Sequence, residues 1–250
     1  MNTVNPEEPV DLTLLDTMPK QDRGETIAHI FATAAFSAIP FVGGSVAAVF
    51  SGVFAASEQA RQEKWFREVA EAIMELKANR TIVWEEIFKD GRFHAAVAQG
   101  IRIVAETNRA EMRTAVAYAV SNSGSWSGNE EVVDRFLMKV LSRCESEHLL
   151  ALQFFDNPHE FHRIHGDQLK EDTLTWIFTQ VIYKDLVEWE PLAAAVLKDL
   201  YSYGLVIGNY GLGFELHATT LRQTTYIGHA LLEFVSNRPS SDDETVSSSV

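Results

Sequence analysis

One cysteine, Cys144, occurs in 250 residues. That excludes an intrachain disulfide framework and any multi-cysteine zinc or iron–sulfur site. Bases are scarce too: Lys plus Arg number 21 against 35 Asp plus Glu, a formal net charge of −14. Gripping a phosphate backbone generally takes clustered Lys and Arg, so nucleic acid is a disfavoured partner. Residues 1–24 carry Glu7, Glu8 and Asp11 where a secretory leader would have bases and then an apolar core. They read as an irregular lead-in. The tail, 238–250, is rich in Ser and acid with little to bury, and reads as disordered. No internal repeat and no phosphate-binding loop of the GxxxxGK[ST] type is present. What is abundant is apolar side chain, 46% of the chain, enough for a packed core.

Charge vanishes altogether between Thr26 and Ser57. These 32 residues contain no Asp, Glu, Lys or Arg; twelve are Ile, Val or Phe and sixteen are Gly, Ala or Ser. Pro40 and Gly43-Gly44 interrupt the stretch. Proline breaks a helix ladder and glycine loosens it, so the pattern predicts an apolar helical hairpin within 25–63, its helices at about 25–38 and 42–63. In the second helix Gly44, Ala48, Gly52 and Ala56 recur every four residues. They form one narrow strip along which another backbone can approach closely, as in a glycine zipper. A helix apolar nearly all round belongs either in a protein core or in a membrane. Val42–Ser57 is 16 residues, about 24 Å of helix against about 30 Å of bilayer, so one helix alone is marginal for insertion. Both readings stay open: a buried hairpin, or one that inserts on activation.

Charged, periodic sequence follows and makes a helical middle, 64–144. Phe66, Val69, Ile73, Leu76, Val83 and Ile87 fall on one apolar face, with Arg80 breaking the run. Asp90-Gly91 marks a turn, and a helix is expected over about 92–120 with Ile101, Val104, Met112 and Val116 inward. SNSGSWSGN, 121–129, is a loop by composition. Its Trp126 either anchors a partner or folds back on the body, the commoner arrangement.

The last part, 145–237, follows a helix expected at about 130–143. Ser146 is placed to cap the apolar run that ends at Asp156-Asn157-Pro158. Helices are expected at about 170–186 and 190–203, with Gly204 as a C-cap glycine. GLVIGNYGLGFELHATT reads as two short strands around a glycine turn, and a last helix starts after a Thr cap. Three helices, a hairpin and a helix make a winged-helix-like plan. Such a fold often reads DNA with the helix before its hairpin. Here that segment has Lys198 as its only base; from Pro191 onward three bases face six acids.

LLALQFFDNP, LKDLYSYGLV and TTYIGHALLEFV resemble the C-terminal pattern of bacterial helical proteins such as the abortive infection alpha group. The resemblance covers about 145–237. It implies a helical region followed by a winged-helix-like end, and a setting in phage defence. It brings no active-site residue with it.

Candidate chemistry is thin. His159, His162 and His165 in PHEFHRIHG are the one ligand-like cluster, but the third imidazole is turned about 120° from the first and no HExxH motif is formed. A polar turn is the plainer reading. Gly124–Gly128 places Trp126 where a nucleophile elbow needs Ser. Gly208, Gly211 and Gly213 need serve only a turn. Cys144 has Glu145 and Glu147 beside it, which disfavour a thiolate.

The expectation is a mainly α protein: a helical bundle with the apolar N-terminal hairpin and a winged-helix-like C-terminal part. It is expected to be no enzyme and to need no cofactor or metal. Its partners are expected to be a protein or further copies of itself, with a membrane as a conditional one, and its place the cytoplasm or the inner membrane surface. A protein-docking adaptor using the winged-helix part is the alternative, and a DNA-binding regulator the least favoured.

Overall fold

Helix-forming sequence with few interior breakers dominates the computed structural model, which describes residues 22–28, 51–79, 82–158, 190–207 and 222–237, the side chains of 51–59, 79 and 190 excepted. Among these residues the fold is mainly α, and β pairing is limited to one antiparallel bridge, Val206 to Thr224. The elements are α1 (22–28), α2 (Ser51–Asn79), α3 (Trp84–Lys89), α4 (Gly91–Glu106), α5 (Ala110–Ser121), α6 (Glu131–Leu141), α7 (Ser146–Asp156), α8 (Glu190–Ser202) and α9 (Tyr226–Phe234). The chain divides into two compact units, Met1–Arg135 with Asn237–Val250, and Phe136–Ser236.

In the first unit α2 packs on α5 and α4, and α4 on α5. Trp65, Phe66, Val69, Ile73 and Leu76 of α2 meet Phe93, Ile101 and Val104 of α4 and Met112, Val116 and Val120 of α5 in a buried core. Four of these five α2 residues are the expected apolar face. Val83, also expected there, is exposed instead, with Ile82 and Trp84 buried on either side of it. The chain leaves helical geometry before Trp84, with Val83 extended at its N-cap and turned outward, while Ile87, the last residue of the expected face, is buried.

Two further boundaries differ from expectation. The helix expected to end at 63 runs on to Asn79: 58–79 contains no Gly or Pro, so nothing stops it. The helix expected over 92–120 is two. Thr107 is extended, and its hydroxyl oxygen accepts from Arg109 N at 3.2 Å, a local bond that competes with the helix ladder.

In the second unit α7 packs against α8 and α9. The α8 C-terminus is closed as expected at Gly204, whose φ of 70° suits glycine; Leu205 N donates to Leu200 O and Gly204 N to Tyr201 O, a Schellman motif. Thr225 caps α9 as expected, accepting from Gly228 N at 3.0 Å. The α7 N-cap is Glu145, one residue before the expected Ser146. Between these ends the chain pairs once: Ile207 N donates to Gln223 O and Thr225 N to Leu205 O, framing the Val206–Thr224 bridge. The glycine turn expected between the strands, and the helix expected at 170–186, lie outside the described residues.

Candidate functional site

Of the small-residue strip, Gly52 and Ala56 lie in the first two turns of α2, while Gly44 and Ala48 lie outside the described residues. So do His159, His162 and His165. Among the described residues no group of three His, Cys, Asp or Glu could hold a metal ion, and no helix is long and apolar enough to cross a membrane. The strip's second half therefore stands on the same 29-residue helix, about 44 Å long, whose other end builds the first core.

A ladder of polar pairs holds α2 to α5. Arg61 Nη1 donates to Asn108 Oδ1, Arg113 Nε stands 3.7 Å from Glu68 Oε1, and the Tyr118 hydroxyl donates to Glu75 Oε2 at 3.0 Å. Positions 61, 68 and 75 are seven apart and so share one column of α2. Their partners rise in number together, so the two helices run parallel. The column reads in sequence as a solvated face, because periodicity reveals a polar stripe and not what lies opposite.

This seam is poorly satisfied. Glu68 Oε2, Arg113 Nε and Trp65 Nε1 are buried without a hydrogen-bond partner, and 3.7 Å is too long for a hydrogen bond. Burial pushes the Glu68 carboxyl above the usual carboxylate value of 4.5; Arg113 and Lys64 pull the other way without offsetting it, and Glu71 adds to the rise. A raised folded value means that the stability Glu68 contributes is fully present below the unfolded value and lost as pH rises through the folded one. Ionised Glu68 is thus a cost at neutral pH. Glu68→Gln is expected to flatten the pH dependence of the urea midpoint; a pH dependence equal to that of the wild type contradicts the assignment.

The 121–129 loop is fixed rather than free. Trp126 folds back on the body: its Nε1 donates to Ser121 O at 2.8 Å and its ring lies 5.8 Å from that of Phe93. Asp90 caps α4 through Phe93 N and also accepts from Ser125 N. Burial pushes its carboxyl up, but these N–H groups together with that of Arg92 bring it below its ordinary value. Asp134 of α6 closes the loop by accepting from Arg92 Nη2, Ser127 Oγ at 3.0 Å and Asn129 Nδ2 at 2.9 Å.

The second unit holds two clusters that the sequence reading missed. At the end of α7, Asp156 accepts from Thr224 Oγ1 at 2.6 Å, lies 3.0 Å from His229 Nδ1 and 3.4 Å from Arg222 Nε. One carboxylate thus ties α7 to the bridge segment and to α9. The far side of His229, Nε2, is 3.7 Å from Glu233 Oε1. The signal available in sequence was a His on a mostly apolar helix; its partner lies 73 residues away.

The other cluster is Cys144, His148, Asp199 and Tyr203. A thiol, an imidazole and a carboxylate are the parts of a nucleophilic triad. In a working triad the imidazole lone pair faces the nucleophile. Here Glu145 N donates to His148 Nδ1 at 2.9 Å, so that lone pair is taken by backbone. Burial, then the charges of Glu145 and Asp199, push the Cys144 thiol up to about 12. Burial and Asp199 likewise raise the Tyr203 phenol. The arrangement suits packing and capping. Cys144 is expected to react with a disulfide reagent at pH 8 at least tenfold more slowly in the folded chain than in denaturant, because the thiolate is the nucleophile; equal rates contradict this.

No family model matches this chain, and no curated protein or solved structure is significantly similar to it.

Proposed function

We propose that this protein is a non-enzymatic helical assembly protein whose 26–57 stretch exchanges between a packed state and a bilayer-inserted one. The observation that carries this reading is the continuity of α2: one helix bears Gly52 and Ala56 near its start and Trp65, Phe66, Val69, Ile73 and Leu76 in a buried core further on. A body held at one end can then present the uncharged end to a membrane or to another copy. The apolar hairpin, the winged-helix-like plan of 145–237, a cytoplasmic location and a setting in phage defence are parts of the same proposal. The order α7, α8, bridge and α9 supports the plan, and the sequence resemblance alone supports the setting.

Flotation and dye release from vesicles test it, with phosphatidylglycerol-containing and neutral vesicles at pH 7 and pH 5. The full chain is expected to float with vesicles and release dye in at least one condition. The pair Val53→Asp and Phe54→Asp is expected to abolish both while leaving helix content unchanged. No flotation in any condition, or equal release by the variant, overturns the proposal.

A second reading rests on a separate observation. Ile207 and Tyr226, the latter 88% exposed, stand beside the Val206–Thr224 bridge in the second unit. Exposed aromatic side chains of this kind anchor protein partners. Recovery of a stoichiometric partner from the native host, lost in Tyr226→Ala, would favour this adaptor reading.

A further inference from the structure

The N-terminus of α7 is closed by a side chain whose acceptor depends on its protonation state. In a capping box the residue at the third helical position is ordinarily Glu or Gln, whose oxygen accepts the N-cap N–H. Here that residue is His148, and Glu145 N donates to its Nδ1 at 2.9 Å. A backbone N–H can only donate, so Nδ1 carries the lone pair and the neutral ring holds its proton on Nε2. That Nε2 is buried without a hydrogen-bond partner; Asp199 Oδ2 of α8 stands 3.6 Å away, just out of range. His148 is 7% exposed.

We propose that His148 is a proton-operated cap: neutral, it closes α7 through Nδ1; protonated, it releases Glu145 and turns to Asp199. Three effects act in one direction. A proton taken from solvent onto Nδ1 sets two N–H groups against each other where a hydrogen bond had been. A positive ring in the first turn opposes the helix dipole. The same charge strengthens the pull of Asp199 and gives the buried Nε2–H an acceptor. Facing the ring are Glu145 from its own turn and Asp199 and Tyr203 from the α8 side, the Tyr203 ring 6.3 Å from the imidazole, with Cys144 and Arg143 beside Tyr203. The Glu145 carboxylate on the cap side holds the protonated ring near the helix end, whereas Asp199 draws it off. The buried, unpartnered Nε2–H places the advantage with Asp199.

Backbone amide exchange on the full chain tests this, comparing pH 8 with pH 5 after correction for intrinsic rates. Protection at Glu145, whose N–H makes the cap bond, and at His148 and Leu149, whose N–H groups bond the Glu145 oxygen, is expected to fall about fivefold in the wild type, the effect of one lost cap. In His148→Gln, which keeps an acceptor without a titrating group, it is expected to stay constant. Unchanged protection in the wild type, or the same fall in both chains, overturns the proposal. Should the variant fail to fold, imidazole nitrogen shifts of the wild type decide. The Nε2–H tautomer at high pH, with the Glu145 amide shifting at the ring's own midpoint, is the expected result. An Nδ1–H tautomer, or a Glu145 amide indifferent to the ring, overturns it.

Discussion

Gly228→Ala is expected to destabilise the second unit by about 3 kcal/mol, against the gain of up to about 1 kcal/mol that helix propensity alone would give. The reason is a close approach. A Cβ on Gly228 would overlap the carbonyl oxygen of Leu205, far inside the 3.0 Å that real contacts essentially never breach, and would crowd Leu152 as well. A backbone oxygen cannot swing aside as a side chain can. Leu205 is pinned on both faces: its N–H donates to Leu200 O and its oxygen accepts from Thr225 N at 3.0 Å. To admit a methyl group, α9 must retreat from the bridge segment, and the Thr225 cap and the Asp156–His229 contact retreat with it. Urea unfolding measures the change. A midpoint that rises or stays level would show that α9 does not lie against Leu205.

Asp134→Ala is expected to cost about 2–3 kcal/mol, the order for leaving buried donors without their charged acceptor, since Arg92 itself is only part-buried. Asp134 is 3% exposed and answers three donors at once: Arg92, Ser127 and Asn129. Its removal leaves the Arg92 guanidinium, whose Nε already has no hydrogen-bond partner, without a counter-charge and with only Ser127 Oγ and the Asn129 carbonyl as acceptors. It also frees the 121–129 loop, so Trp126 fluorescence is expected to move toward the exposed range before the rest of the protein unfolds. Asp134→Asn is expected to lose less, since its one amide oxygen can replace Oδ2 toward Arg92 and Ser127, while its NH2 then faces the Asn129 Nδ2 donor in place of Oδ1. Equal stability of the wild type and the alanine variant would reduce the network to surface decoration.

Much of the helical content was legible because apolar spacing reports which face of a segment is buried. Phe66, Val69, Ile73 and Leu76, then Ile101, Val104, Met112 and Val116, stand where that spacing puts them. Punctuation was legible where it is chemical: Gly204 and Thr225 end and start helices for reasons contained in their own side chains. The break at Thr107–Arg109 was not, because a threonine hydroxyl that accepts from backbone two residues on looks like any other threonine in a helix. Val83 was misplaced, since it falls in the extended break before Trp84, where helical spacing does not apply; Ile87, back in a helix, is buried as expected. Long-range polar partners were illegible for a deeper reason. Asp156 stands in a turn signal and His229 in an apolar segment, 73 residues apart; only the fold brings them within 3.0 Å. The role of His148 was illegible because Ser146, the residue type that usually caps a helix, stands beside it, while the N-cap is Glu145. The strip Gly44, Ala48, Gly52 and Ala56 was visible in sequence because its signal, small residues at a fixed interval, is entirely local.

A fluorophore sensitive to its surroundings, placed through Val53→Cys in a Cys144→Ala chain, puts the reporter inside the uncharged stretch. On addition of phosphatidylglycerol vesicles its emission is expected to shift to the blue and to be quenched by nitroxides attached within the lipid chains. An unshifted spectrum that lipid-borne nitroxides leave undimmed, with the chain otherwise folded, would contradict the claim that this stretch enters a bilayer.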